Sequence, residues 1–200
     1  MTTTGTNGVA GLLLAAGGGR RLGGRPKALL PHAGGLLVEH AVRMLRAGGC
    51  GPVHVVLGAA AADVRDRASL EGCTVVENAH WAQGMGSSLR AGLDSLAGTD
   101  APAALVLLVD QPGIGAEAIT RVREAYRSPA SLAAAAYDGE RGHPVLFGRD
   151  HWAGIAASAD GDRGARAYLK EHADAVGLVE CGDVAEAYDI DTEADLKHLR

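Results

Sequence analysis

The stretch Val9-Ala10-Gly11-Leu12-Leu13-Leu14-Ala15-Ala16-Gly17-Gly18-Gly19-Arg20-Arg21-Leu22-Gly23-Gly24-Arg25-Pro26-Lys27 decides the fold. Val9 to Leu14 is a short apolar run ended by Ala-Ala-Gly, the pattern of a strand buried on both faces, as in a parallel sheet covered by helices. The small residues that follow let main-chain N–H groups approach and surround phosphate oxygens, and Arg21 and Lys27 supply charge. Leu14, Ala15, Ala16, Gly17, Gly18 and Gly19 are therefore expected to hold a nucleotide's phosphates.

Two other phosphate loops are distinguishable. A P-loop requires Gly-Lys-Ser/Thr, whereas Lys27 follows Pro26 and precedes Ala28, so that motif is excluded. A dinucleotide fingerprint counted from Gly17 finds Leu22 at its third glycine position, and the second strand ends Leu57-Gly58 with no acid for a ribose. An NAD(P)H-dependent oxidoreductase thus lacks its fingerprint and stands as the alternative from another enzyme class, which tight NADPH binding without magnesium would favour.

Outward from the loop, apolar runs alternate with helical patterns. Strands are expected over 53–57, 73–76, 104–109, 132–137, 143–147 and 176–180. Helices are expected over 36–46, 60–68, 87–96, 115–126, 149–157, 164–171 and 192–199. The alternation predicts a three-layer α/β/α sandwich with a mostly parallel sheet, in which the strands at 132–137 and 143–147 form an antiparallel flap over the substrate. Residues 8–200 are expected to make one domain, preceded by a flexible tail over residues 1–7.

Composition removes several function classes. The net charge of −5 and pI near 5.9 exclude a broad basic surface for nucleic acid, so an anionic ligand must be held locally. No run approaches a membrane span and the first seven residues lack the order of a secretion signal, which points to the cytoplasm. Cys50, Cys73 and Cys181 are odd in number, widely spaced and without a CxxC pair, so neither a disulfide frame nor a zinc site is indicated.

Asp110 ends the most hydrophobic strand, where open α/β sheets place ligand-binding groups, and a carboxylate there can hold Mg²⁺ against nucleotide phosphates. Asp191 is the candidate second ligand and Asp189 the alternative, although Asp191 also suits a helix cap. Asn78, Ser87 and Ser88 can meet a base edge or ribose, and Trp81 either packs beside the base or anchors the loop.

These stretches carry a family resemblance. Leu14 to Leu30 resembles the signature L-A-A-G-x-S-x-R-M-G-x-P-K-x-L-L of MobA/MocA-like nucleotidyltransferases similar to molybdenum cofactor cytidylyltransferase. The stretches Glu77 to Leu89, Leu108 to Pro112, Arg141 to Phe147 with Gly161 to Arg166, and Asp189 to Thr192 agree with it in order, and Gly84 is expected with Asn78, Ser87 and Ser88 at the nucleotide. The sequence departs from the signature at Gly19, where the family has serine, at Leu22, where it has methionine, and at Ala79, where proline is common.

The resemblance implies a Rossmann-like, glycosyltransferase-A-like nucleotidyltransferase fold and Mg²⁺-dependent transfer of CMP from CTP to a phosphorylated acceptor, molybdopterin, with release of pyrophosphate. It implies that Lys27 meets the α-phosphate, Arg21 the β- and γ-phosphates, and Asp110 the metal. Arg21, Lys27 and Asp110 are the expected catalytic residues. His143, Asp162, Arg163 and Arg166 are expected at the acceptor, and Ala15-Ala16-Gly17 in place of Ala-Gly-Gly favours CTP over GTP. A molybdoenzyme or chaperone is the implied downstream partner. A sensing or chaperone module without chemistry is the non-enzyme alternative, against which Lys27, Asp110 and Asp191 argue.

Overall fold

The computed structural model describes residues 8–199, so the tail expected over residues 1–7 lies outside the described residues. In chain order the strands are β1 (Ala10–Ala15), β2 (Pro31–His32), β3 (Gly35–Leu36), β4 (Val53–Leu57), β5 (Cys73–Glu77), β6 (Ala103–Leu108), β7 (Leu132–Tyr137), β8 (Glu140–Gly148) and β9 (Val176–Glu180). The α-helices are α1 (Leu37–Ala47), α2 (Ala61–Arg67), α3 (Met85–Ala97), α4 (Ala116–Arg123), α5 (Trp152–Ser158) and α6 (Arg166–Glu171).

Seven strands form one sheet in the order β5-β4-β1-β6-β8-β7-β9, and β2 and β3 make a separate small hairpin. Within the sheet β8 alone runs opposite, pairing antiparallel with both β6 and β7. The sheet is therefore mostly parallel, as the alternating pattern predicts. The strands expected as a flap instead belong to the central sheet, because apolar Val145, Leu146 and Phe147 are buried against β6 rather than lifted over the cleft.

Alternate side chains of the central strands feed two cores. Leu13 and Ala15 of β1 and Leu105 and Leu107 of β6 pack with α1 and α4, through Leu37, Ala41, Leu45, Ile119 and Val122. Leu12 and Leu14, with Ala104 and Val106, pack with α3, α5 and α6 through Leu89, Leu93, Trp152, Ile155 and Leu169. Burial on both faces explains why β1 reads as an unbroken apolar run and not an alternating one. Among the described residues, no helix is long and apolar enough to cross a membrane.

The chain after β9 returns across the C-terminal ends of the strands. Cys181 donates its N–H to Ala136, Glu186 to Gly113 and Ile190 to Asp110, at 2.8, 3.2 and 2.8 Å. The last segment, expected as an α-helix over 192–199, is a 3-10 helix over Glu193–Leu199. Its first turn is pinned by Asp195, whose Oδ2 accepts the N–H groups of Asp191 and Thr192 and the Thr192 hydroxyl.

Candidate active site

The glycine-rich loop leaves β1 and folds on Leu22, which is fully buried and anchors a short 3-10 turn, Arg20–Leu22. The Gly19 carbonyl accepts the N–H groups of Leu22 at 2.8 Å and Gly24 at 3.0 Å, closing the loop on itself. Among the described residues, the N–H groups of Gly17, Gly18 and Gly19 have no protein acceptor, which leaves a row of donors at the C-terminal edge of the sheet. Trp81 has its ring seated against Gly18 and also lines the cleft beside the loop.

Lys27 stands at the start of a second 3-10 turn, Lys27–Leu29, after Pro26. Its Nζ donates to Asp110 Oδ2 at 2.7 Å and to Asp191 Oδ1 at 2.5 Å. Arg21 donates to the other oxygen, Asp191 Oδ2, at 3.3 Å, and Arg25 pairs with Glu193. The loop and the returning C-terminal segment are thus joined by three cations.

Asp191 reaches this position because Ile190 is fully buried and its backbone N–H is fixed to the Asp110 carbonyl. Successive side chains in an extended segment point to opposite sides, so burying Ile190 turns both neighbouring carboxylates outward. Asp189 accepts from the Gln111 amide at 2.8 Å, and Asp191 meets Lys27. The turn-holding role that sequence alone allows for Asp191 falls to Asp195.

Burial pushes the Lys27 pKa down, but Asp110 and Asp191 outweigh it and hold the ammonium above its ordinary value. Burial pushes the Asp110 carboxyl up, Lys27 pulls it back in part, and Asp189 and Asp191 add to the rise. Burial and neighbouring carboxylates oppose the ionised form of Asp110, and the Lys27 ammonium favours it.

The loop, the start of α3 and the end of β6 enclose a cleft of about 440 Å³. Leu14, Ala16, Gly17, Gly18, Gly19, Arg21 and Lys27 line it, with Gly84, Ser88, Asp110, Asp162 and Asp191. Ala15 instead points into the core on the opposite face of β1. Asn78 is buried and braces the cleft wall from behind. Its amide donates to Ser87 and Ser88 at 2.8 and 3.0 Å, and its oxygen accepts the His80 N–H. Ser87 is spent on this brace, donating to the Gly84 and His80 carbonyls, whereas Ser88 also faces the cleft.

Of the four expected acceptor residues, one lines this cleft and three lie outside it. Only Asp162 reaches the cleft, carried there because residues 160–162 press directly against Gly84 and Gly86 at the start of α3. Gly84 has φ 108°, and a β-carbon on it would lie 2.5 Å from the Gly161 backbone. Arg163 and Arg166 line a separate depression with Lys170. His143 and Pro144 drop out of the β7–β8 ladder, whose register passes from Val145 to Gly142, and the His143 carbonyl accepts the Tyr137 hydroxyl at 2.6 Å. Burial, then Arg166 and Arg141, push the His143 imidazole down to about 4. Gln83 and Met85 also line the cleft and were not singled out by sequence; their only signal was membership of the 77–89 stretch.

Residues fit for a divalent cation are restricted. Among the described residues, no group of three or more His, Cys, Asp or Glu side chains converges. Asp110 and Asp191 do converge, on one ammonium, and two carboxylates completed by phosphates and water are what Mg²⁺ commonly takes.

Comparison with known proteins agrees with this architecture. Residues 11–176 match the model of the MobA-like NTP transferase domain. The nicotine blue oxidoreductase of Paenarthrobacter nicotinovorans is 41% identical over 198 residues, covering 96% of each chain. The solved structure of a protein from Mycobacterium sp. strain JC1, a homologue of a Mycobacterium tuberculosis protein, superposes with a TM-score of 0.80 at 31% identity, covering 96% of this chain and 94% of that one. A Mycobacterium tuberculosis H37Rv structure determined in complex with manganese superposes with a TM-score of 0.74 at 27% identity, covering 96% and 97%.

Proposed function

The chain belongs to the MobA-like NTP transferase family, and from that premise we propose that it transfers CMP from CTP to a phosphorylated acceptor, molybdopterin, releasing pyrophosphate. The observation that carries the reading is the convergence of Lys27, Asp110 and Asp191 beside a row of free loop N–H groups. In this reaction an acceptor phosphate oxygen attacks the α-phosphorus, a new O–P bond forms, and the bond to the β-phosphate oxygen breaks with pyrophosphate leaving. No covalent nucleophile is needed, so the protein's contribution is positioning and stabilisation of developing negative charge.

Lys27 is suited to the α-phosphate as a point charge on a flexible stem, and Arg21 to the β- and γ-phosphates as a planar fork. The N–H groups of Gly17, Gly18 and Gly19 donate to the same oxygens. Asp110 and Asp191 would hold a divalent metal, magnesium in our reading, which when bound neutralises charge on the triphosphate. The manganese complex of the mycobacterial relative supports a divalent metal in this fold. Ala16 lines the cleft in place of a glycine, and this substitution favours CTP over GTP in our reading. Asp162 is the protein group best situated to meet an N–H or O–H of the acceptor.

The test is a pyrophosphate-release assay with Mg²⁺, molybdopterin and each of the four nucleoside triphosphates. Release with CTP is expected; silence with CTP and release with GTP rejects cytidylyl transfer.

The name of the Paenarthrobacter relative, at 41% identity across nearly the whole chain, favours a second reading. In it the same loop holds the pyrophosphate of NAD(P)H, and the cleft reduces an aromatic dye-like substrate such as nicotine blue. Oxidation of NADPH by nicotine blue without metal, together with no pyrophosphate release from any triphosphate, would select that reading.

A further inference from the structure

We propose that Lys27 is a displaceable counter-ion that closes the Asp110–Asp191 pair to divalent metal until a triphosphate draws the ammonium away, so that nucleotide binds before or with metal and never after it. The inference rests on the nucleotidyl-transfer reading of the cleft.

The geometry is specific. The ammonium lies between the two carboxylates, 2.7 Å from one and 2.5 Å from the other, at the point a shared cation would take. Both oxygens of Asp191 already have a cationic partner, Oδ1 with Lys27 and Oδ2 with Arg21. The two cations neutralising the carboxylates are thus the two suited to the triphosphate, and they cannot serve both ligand sets at full strength.

Charge balance decides the order. Two carboxylates against Lys27 and Arg21 sum to zero. A divalent ion arriving alone would add two positive charges beside Lys27, offset only in part by the neighbouring Asp189, and the repulsion is felt most at the Lys27–Asp110 side, where the side chains are 16% and 21% exposed. A triphosphate arriving alone meets three loop N–H groups and two cations on mobile stems. Lysine's four-carbon chain lets Nζ move to a phosphate without any shift of the backbone. The carboxylates it leaves then attract the metal.

Two measurements test this on the full-length protein. In wild type with chelator present, the non-hydrolysable α,β-methylene analogue of CTP is expected to raise the melting temperature, and Mn²⁺ without nucleotide is expected not to. A rise with Mn²⁺ alone equal to or greater than that with the analogue overturns the proposal. In titration calorimetry, Lys27→Gln and Lys27→Met are expected to bind Mn²⁺ alone at least about tenfold more tightly than wild type. Adding Asp110→Asn to Lys27→Gln is expected to abolish the gain. Equal Mn²⁺ affinity in wild type and variants overturns the proposal and leaves nucleotidyl transfer standing. Metal gating without pyrophosphate release from any triphosphate rejects nucleotidyl transfer alone.

Discussion

The carbonyl oxygen of Arg25 stands 1.8 Å from where a β-carbon on Gly19 would lie, and Gly19 itself has φ 61°. As folded, the loop therefore has no room for the family serine at position 19. Between Gly23 and Pro26 the chain has Gly24 and Arg25, one residue more than the G-x-P of the signature. In this longer return the Arg25 carbonyl occupies the place a side chain on residue 19 would take. Gly19→Ser alone is expected to destabilise the protein by about 1–3 kcal/mol and to loosen nucleotide binding, through strain at a positive φ and a main-chain clash. Combined with deletion of Arg25, the same serine is expected to restore most of the loss. Thermal unfolding and nucleotide titration of both variants check this; a stable single variant refutes the coupling.

Lys27→Ala and Asp110→Ala are each expected to lower turnover by about 10²- to 10³-fold, the range for removing one preorganised charge-stabilising group. Asp191→Asn is expected to lower it more than Asp189→Asn, because Asp189 is engaged by Gln111 and not by the loop cations. Steady-state pyrophosphate release measures all four. Turnover of Asp189→Asn below that of Asp191→Asn would reverse the assignment.

Much of this was legible before any coordinates. The unbroken apolar runs at 9–14 and 104–109 read as doubly buried strands, and the residues that end them fall together at the sheet edge because parallel strands share a direction. What periodicity could not carry was contact at short range. The β2–β3 hairpin has two-residue strands around a tight turn with Ala33 and Gly34 at positive φ, too short for any alternation to show. The choice between Asp189 and Asp191 depended on which side of a buried Ile190 each faced. The position of His143 depends on a bulge in the β7–β8 ladder that no composition signals.

Ile190 is the hinge of that choice and its replacement is informative. Ile190→Ala is expected to cost about 2–5 kcal/mol, as for other fully buried aliphatic truncations. Below the melting transition it is also expected to reduce turnover, because the segment that aims Asp191 at Lys27 loses its anchor. Ile190→Val, which keeps most of the buried surface, is expected to cost about 0.5–1.5 kcal/mol and retain activity. Unfolding curves and rates measured on the same samples separate the two effects. Full activity in folded Ile190→Ala would show that Asp191 is held by its ion pairs alone.

Gly84→Ala is expected to act on the acceptor and not on the nucleotide. The new methyl group meets the Gly161 backbone and the Asp162 carboxylate, so residues 160–162 must move away from the cleft. The loop that holds the phosphates is untouched. The Michaelis constant for acceptor should rise severalfold while that for nucleotide changes little, and an equal rise in both would place Gly84 with the nucleotide instead.

His143 sets an acid limit on stability. Its imidazole titrates at about 4 in the folded protein against 6.5 for the ordinary side chain, because burial and the Arg166 and Arg141 charges oppose protonation. The unfolded chain therefore takes up the proton first as pH falls. Stability present in full above about pH 6.5 is lost progressively down to about pH 4, by about 1–3 kcal/mol for a shift of this size. His40 and His54, also pushed down by burial, add to the same slope. His143→Gln cannot titrate, so its unfolding free energy between pH 6.5 and 4 should fall less steeply than that of wild type by that amount. Denaturant unfolding at several pH values measures the difference, and parallel curves for the two proteins would show that His143 is already free to take up a proton in the folded state.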